Sequence, residues 1–148
     1  MHIAEYFESD HQRLDALFQA FQRLKAEDAP RSQIHLQEFS EGLRRHIAWE
    51  EEILFPLFEQ RTGLVSRGPT LVMRDEHRHI IKHLDAIVSK IASGNIDSVY
   101  DEQMMLNILA LHNQKEERIL YPSIDRAMSD EERSGVFAAM EKLKHSRK

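Results

Sequence analysis

The fold class this sequence predicts is all-α: an up-down-up-down four-helix bundle, built from two repeated helical hairpins, with a short fifth C-terminal helix. Three observations predict it. Apolar residues recur at helical spacing through four long stretches. Only five Gly and four Pro fall among the 148 residues, which favours long helices over many strands. The chain also repeats itself. His46-Ile47-Ala48-Trp49-Glu50-Glu51-Glu52-Ile53-Leu54-Phe55-Pro56 and His112-Asn113-Gln114-Lys115-Glu116-Glu117-Arg118-Ile119-Leu120-Tyr121-Pro122 both read His-x-x-x-Glu-Glu-x-Ile-Leu-aromatic-Pro, 66 residues apart. Asp10-His11 and Glu76-His77 share that offset. A repeat of this kind marks one supersecondary unit written more than once.

The first helix is expected over about residues 3 to 26, where Ile3, Tyr6, Phe7, Leu14, Leu17, Phe18, Phe21 and Leu24 form a stripe with His11 inside it. Glu27-Asp28-Ala29-Pro30 makes a turn, with Pro suited to a helix start. The second helix follows to about Gln60, its inward positions being Leu36, Phe39, Leu43, His46, Ile47, Glu50, Ile53 and Leu54. Pro56 removes a backbone donor and should disturb its last turns. Residues 62–68 read as a loop, and Pro69 opens a third helix that Ser93-Gly94-Asn95 closes, Gly being a natural C-cap. Asp97 or Ser98 caps a fourth helix running to about Met128, with Pro122 late in it. Ser129-Asp130-Glu131-Glu132 is a capping box that opens the fifth helix, to about Leu143.

Residues 1–128 are thus expected to form the bundle, and 129–148 an amphipathic helix and basic tail packed on the same domain. The fifth helix offers Val136, Phe137, Met140 and Leu143 as one face, so the chain is expected as a monomer or as a homodimer through that helix. The tail, Lys144-His145-Ser146-Arg147-Lys148, reads as a solvated end.

Composition narrows the chemistry. A hydrophobic content of 41% and a charged content of 30% describe a globular protein. No apolar run approaches the ~20 residues that span a bilayer, and the N-terminus lacks the pattern of a signal peptide. Cysteine is absent, which excludes disulfides, thiolate ligands, iron–sulfur clusters and Cys nucleophiles. These features lead us to expect a cytoplasmic protein with no membrane partner. The net charge of −5 argues against non-specific nucleic-acid binding. Nine His residues are the compositional oddity.

The repeat accounts for four of them. Residues i and i+4 share a helix face, so His46 with Glu50, and His112 with Glu116, each aim an imidazole and a carboxylate at one spot. His11 precedes His46 by 35 residues, and His77 precedes His112 by 35. Turns near residues 28–29 and 94–95 would set each pair level, so four helices bring His11, His46, Glu50, His77, His112 and Glu116 to one layer. A lone inward His is more often a hydrogen-bonded core residue than a ligand. Four of them beside two inward Glu are different, because an unpaired buried carboxylate is costly. Imidazole suits Zn, Cu, Fe and Ni, and mixed nitrogen–oxygen sets with bridging carboxylates suit iron or manganese pairs. With two bridging Glu, each ion would have about two His and two oxygens and room for an outside ligand. The charge left over would favour small oxygen anions.

Other residues fit that layer less well. His35 shares the face of His46 but lies about 16 Å along the axis. His79 and His83, spaced i and i+4, could form a second small site, but they fall off the face of His77 and read as solvated. His2 and His145 are terminal. Glu51 and Glu117 stand about 100° round the helix and read as partners of ligands or of neighbouring helices. Phe55, Tyr121, Trp49, Met73, Met104 and Met105 read as core or pocket lining, and Leu109 and Leu111 as shaping access.

At Asp10-His11-x-x-Leu14, His46-x-x-x-Glu50-Glu51-x-x-Leu54-Phe55-Pro56, Glu76-His77 and His112-x-x-x-Glu116-Glu117-x-x-Leu120-Tyr121-Pro122 the chain resembles the hemerythrin-like, or HHE cation-binding, family. The resemblance covers about residues 5 to 125. It implies a non-haem di-iron site inside a four-helix bundle, with His11, His46, His77 and His112 as iron ligands and Glu50 and Glu116 as bridges. Oxygen-carrying members have His-x-x-x-His on the third helix, whereas Ile81 stands four residues after His77. Their fourth-helix bridge is an Asp in a longer spacing, whereas Glu116 serves here. The chain therefore resembles the broader bacterial-type branch, and reversible oxygen carriage is not implied.

By this resemblance the expected function is a di-iron protein that binds or senses a diatomic ligand, O2 or NO, with zinc or manganese as alternative metals. Two alternatives stand beside it. One is iron handling, donation or repair of iron centres under oxidative or nitrosative stress, a role to which some family members are linked. The other is a di-iron oxidase or reductase. Ferritin-type sites use Glu-x-x-His, a different pattern, and no Ser or Cys nucleophile motif supports hydrolysis.

Overall fold

The structure, a computed structural model, describes residues 1–65 and 67–146, with side chains through residue 143. The side chains of the basic tail, 144–148, lie outside the described residues. The helices are α1 (Ile3–Leu24), α2 (Ala29–Trp49), α3 (Phe55–Thr62), α4 (Pro69–Ala92), α5 (Val99–Lys115), α6 (Tyr121–Ala127) and α7 (Asp130–Ser146). Two π-helical turns, Glu50–Leu54 and Glu116–Leu120, join α2 to α3 and α5 to α6. Each joined pair occupies one of the four long helices that the sequence predicts. Helix α1 packs on α2 and α4 on α5, and the hairpins meet where α1 touches α6 and α2 touches α4.

The π-turns are the main departure from the expected helices, and proline accounts for them. Pro56 and Pro122 have no N–H, and the ring of each crowds the carbonyl four residues back. The chain widens by one residue instead of bending away. Phe55 N–H then bonds to the carbonyl of Glu50, and Tyr121 N–H to that of Glu116. Each widened turn therefore begins on a Glu of the repeated motif. Single π-turns inside α-helices recur at functional sites.

Several other helix ends are capped locally, although Ser98, at the start of α5, makes no side-chain cap bond. Asp28 accepts the N–H of Arg31 at the start of α2. Ser129 and Glu132 exchange the two bonds of a capping box, at 2.9 and 3.2 Å, before α7. Gly94 takes a left-handed φ of 84° after α4, and Asn95 N–H then reaches back to the carbonyl of Lys90. Asp125 caps α1 from a distance in sequence, accepting the N–H groups of Ile3 and Ala4 at 2.8 and 3.0 Å.

The core divides in two. One cluster holds Phe18, Phe21, Phe39, Leu84, Ile87 and Met105 with their neighbours, toward the α1–α2 and α4–α5 turns. The other holds Phe7, Trp49, Phe55, Tyr121 and Ile124, and it takes in Val136 and Met140 of α7. Helix α7 thus buries part of its apolar face on this chain's own core, against α2 and the first π-turn. Between the two apolar clusters lies a polar layer in which His11, His46, Glu50, His77, His112 and Glu116 are all buried. Among the described residues no helix is long and apolar enough to cross a membrane.

Candidate metal centre

The six buried polar residues converge. His11 and His46 pair with ring centroids 4.7 Å apart, and His77 and His112 pair at 4.9 Å. Each hairpin therefore contributes one imidazole pair. Glu50 lies 3.0 Å from Nε2 of His77 and 3.7 Å from Nε2 of His46. Glu116 presents Oε1 at 3.2 Å from Nε2 of His11 and 3.3 Å from Nε2 of His112. Each carboxylate so stands between the two imidazole pairs. Two groupings can hold an ion: Glu50, His77, His112 and Glu116, and His11, His46 and Glu116, with the offered ligand atoms of each within 4.8 Å of one another.

Every imidazole turns Nε2 inward because a carboxylate holds its Nδ1. Asp10 lies 2.9 Å from Nδ1 of His46, and Glu76 lies 2.8 Å from Nδ1 of His112. Glu51 lies 2.6 Å from Nδ1 of His77, and Glu117 lies 2.7 Å from Nδ1 of His11. The first two bonds stay within a hairpin and the last two cross between hairpins. Such a carboxylate fixes the tautomer and makes Nε2 a better donor to a metal. Lys115 also bonds Glu76, which holds that carboxylate in place.

Tyr121 sits at the middle of the layer. Its hydroxyl donates toward Glu50 Oε2 at 2.7 Å and Glu116 Oε1 at 2.9 Å. It also lies 3.3 Å from Nε2 of both His11 and His46. Sequence reasoning treated Tyr121 as core or lining; its counterpart in the first repeat is Phe55. The signal that could have found it is the difference between the repeats, one hydroxyl at the same slot. Phe55, lacking that hydroxyl, lies nearly parallel to the ring of His77, at 4° and 6.0 Å.

Without a metal the layer is a network of charges. Burial pushes the His46 imidazole down, but the Glu50 charge and the Asp10 hydrogen bond outweigh it and lift it to about 10. Burial opposes His77 as well, and the adjacent Glu50 carboxylate and the hydrogen bond to Glu51 lift it to about 9. His112 is raised against its burial by Glu116. Glu50 is held well below the carboxylate range by His46, overcoming burial. Burial, then the charges of Glu116 and Glu50, push the Tyr121 hydroxyl well above its usual value.

The residues fit a metal. Glu50 Oε1, Glu116 Oε2 and His77 Nε2 are buried and have no hydrogen-bond partner among the described residues. His77 Nε2 and Glu50 Oε1 are close, yet they do not align as donor and acceptor. Orphaned buried polar atoms are expensive, and an ion between nitrogen and carboxylate oxygen would satisfy all three. The space left in the layer is about 10 Å³, close to the least that a water needs.

The family model for the hemerythrin HHE cation binding domain matches residues 2–124. The chain belongs to the hemerythrin HHE cation-binding family. A 52-residue stretch is 44% identical to the iron-sulfur cluster repair protein YtfE of Edwardsiella ictaluri, covering 35% of this chain and 24% of that protein. No solved structure matches the chain.

Membership of the HHE family implies metal binding, and the layer supplies a His/Glu cluster suited to it. The other sequence-predicted positions fall outside the layer or support it. Glu51 and Glu117 are the Nδ1 partners described above. Leu109 lines the metal cavity, whereas Leu111 is 64% exposed and does not shape access. It is two residues on from Leu109, about 200° round the helix. His35 stays remote from the layer. His79 is solvated, but His83 is not: its Nδ1 lies 2.9 Å from Asp101, which Lys90 also contacts.

Proposed function

We propose that this HHE protein is a non-haem di-iron protein that binds or senses a diatomic ligand, O2 or NO. The observation that carries the reading is the buried layer itself, where four Nε2 atoms and two Glu face one another with three polar atoms left unsatisfied. His11 and His46 would hold one ion, His77 and His112 the other, and Glu50 and Glu116 would bridge. Nitrogen–oxygen sets of this kind suit iron, with manganese and zinc as alternatives. Iron, when bound, would supply exchangeable electrons and open ligand positions.

The protein's own part is to hold and protect. Asp10, Glu51, Glu76 and Glu117 fix the imidazoles. Two apolar clusters wall the layer from solvent on both sides along the bundle. Tyr121 keeps one hydroxyl proton at the centre, where it can donate to an anionic ligand. Asp and Glu partners on each imidazole also offset part of the charge of two divalent ions.

A second reading has its own support. The relative matched over 52 residues is described as an iron-sulfur cluster repair protein, so iron donation or repair of iron centres is the alternative role for the same layer. One experiment addresses both. Protein purified without chelator is analysed for metal, then reduced anaerobically and mixed with O2, with NO or with an apo iron–sulfur acceptor. Iron near two per chain, with a stable diatomic adduct in the absorption spectrum, is expected on the first reading. Rapid iron loss to the acceptor without an adduct supports the second, and zinc or no metal after ferrous reconstitution overturns both.

A further inference from the structure

The two halves of the layer open differently to the outside. A groove of about 580 Å³ runs between α1 and α5. Asp15, Phe39, Leu109 and Asn113 line both that groove and the metal cavity, so they form the neck between them. A second groove, also about 580 Å³, runs between α2 and α4; it shares Ile47 and His77 with the metal cavity, and Ile81 lines it beside them. The 66-residue repeat relates the two necks: Asp15 corresponds to Ile81, and Asn113 to Ile47. One neck therefore carries a carboxylate and an amide where its counterpart carries two isoleucines.

The difference matters to a cation. A divalent ion entering the bundle must give up water, and it needs oxygen donors to replace that water. A charge passing an apolar neck has none and meets a high desolvation cost. Asp15 lies one turn beyond His11 on the same helix face, and its carboxylate feels the charges of His11 and Glu117. Among the described residues no hydrogen bond or ion pair ties Asp15 or Asn113 down. At the other groove Arg78 and Lys82 share the wall with Glu51 and Asp85, so that wall is balanced in charge and the contrast lies in the necks.

We propose that the α1/α5 neck is the loading route for metal, with Asp15 and Asn113 as transient oxygen donors that pass a hydrated divalent cation to His11 and Glu116. The α2/α4 neck, closed by Ile47 and Ile81, does not carry it. This inference rests on the reading of the layer as a metal site.

The test is the rate of ferrous loading into the metal-free full chain, anaerobically, with a timed chelator quench. Asp15→Leu combined with Asn113→Ile should slow loading by about tenfold or more, the scale on which local charge and focusing alter on-rates. The iron held at equilibrium and the melting temperature of the loaded protein should match the parent. Adding Ile81→Asp and Ile47→Asn to that double variant should restore the rate through the other neck. Unchanged loading in the double variant overturns the proposal, as does reduced iron at equilibrium, which would make Asp15 a ligand. A parent chain that takes up no iron fails the di-iron reading itself, and the route falls with it.

Discussion

Glu51, on the first hairpin, holds Nδ1 of His77, on the second, at 2.6 Å. Glu117 returns the contact to His11 at 2.7 Å. The residue that directly follows each candidate bridge thus orients an imidazole belonging to the other half of the molecule. Glu51→Ala and Glu117→Ala should each weaken metal binding by about 10- to 100-fold while leaving the helices formed. Competition against a chelator of known affinity measures it. Unaltered affinity in both would show that these carboxylates do not tune the imidazoles.

The repeat makes a symmetric prediction about the imidazoles themselves. His46 and His112 occupy equivalent places, each with a carboxylate on Nδ1. His46→Ala and His112→Ala should therefore lower metal content and the thermal stability of the loaded protein to similar degrees, since binding free energy adds to folding free energy. Elemental analysis and thermal denaturation check this. Either variant retaining the parent's metal and melting temperature would remove that residue from the ligand set.

The metal-free protein should lose stability as pH rises. His46 is raised from 6.5 to about 10 in the folded state, so the folded chain holds its proton more tightly than the unfolded chain. That contribution is complete below pH ~6.5 and lost as pH climbs toward ~10. His77, raised to about 9, acts in the same direction. Metal takes the place of those protons, so loading at pH 7.5 should release protons and the loaded protein should not share the decline. Melting curves across pH 6–10 for both forms, and calorimetry in buffers of different ionisation enthalpy, test it. A flat curve for the metal-free form would contradict the charge network.

Tyr121→Phe isolates one hydroxyl. Phe55 fills the corresponding slot of the first repeat, so the ring itself is compatible with this part of the bundle. The change leaves Glu50 and Glu116 without their shared donor and should destabilise the metal-free form by about 2 kcal/mol, the scale of a hydrogen bond to a buried charge. The loaded form should lose less, because metal also satisfies those carboxylates. Chemical denaturation of the two forms gives the comparison. Equal losses would mean that Tyr121 serves the scaffold alone.

The sequence carried the bundle because its two periodicities agree. Helical spacing set the elements, and the 66-residue offset set which elements are equivalent. Spacing also brought His11, His46, Glu50, His77, His112 and Glu116 into one layer, since i and i+4 geometry and a helical hairpin leave little freedom. The π-turns were not legible beyond a disturbance at Pro56, because whether proline kinks a helix or widens it depends on the packing around Phe55 and Tyr121. Tyr121 was hidden by its own ring, which satisfies an aromatic slot before its hydroxyl is considered. Leu111 misled because local nearness to His112 says nothing of facing. His83 misled because its partner, Asp101, lies on another helix.

The crossed contacts from Glu51 to His77 and from Glu117 to His11 mean that neither hairpin is a finished object. A lone hairpin has two imidazoles and one candidate bridging carboxylate, and its forward imidazole lacks the oxygen that aims it. Two copies of such a hairpin, each lending its second Glu to the other, would complete the set. The molecule is in that sense a two-fold dimer whose subunits share one chain, and the segment between Thr62 and Pro69 turns an encounter between partners into an intramolecular one. A chain cut within 63–68 should therefore reassemble most firmly in the presence of metal, with each half useless to the ion until the other arrives.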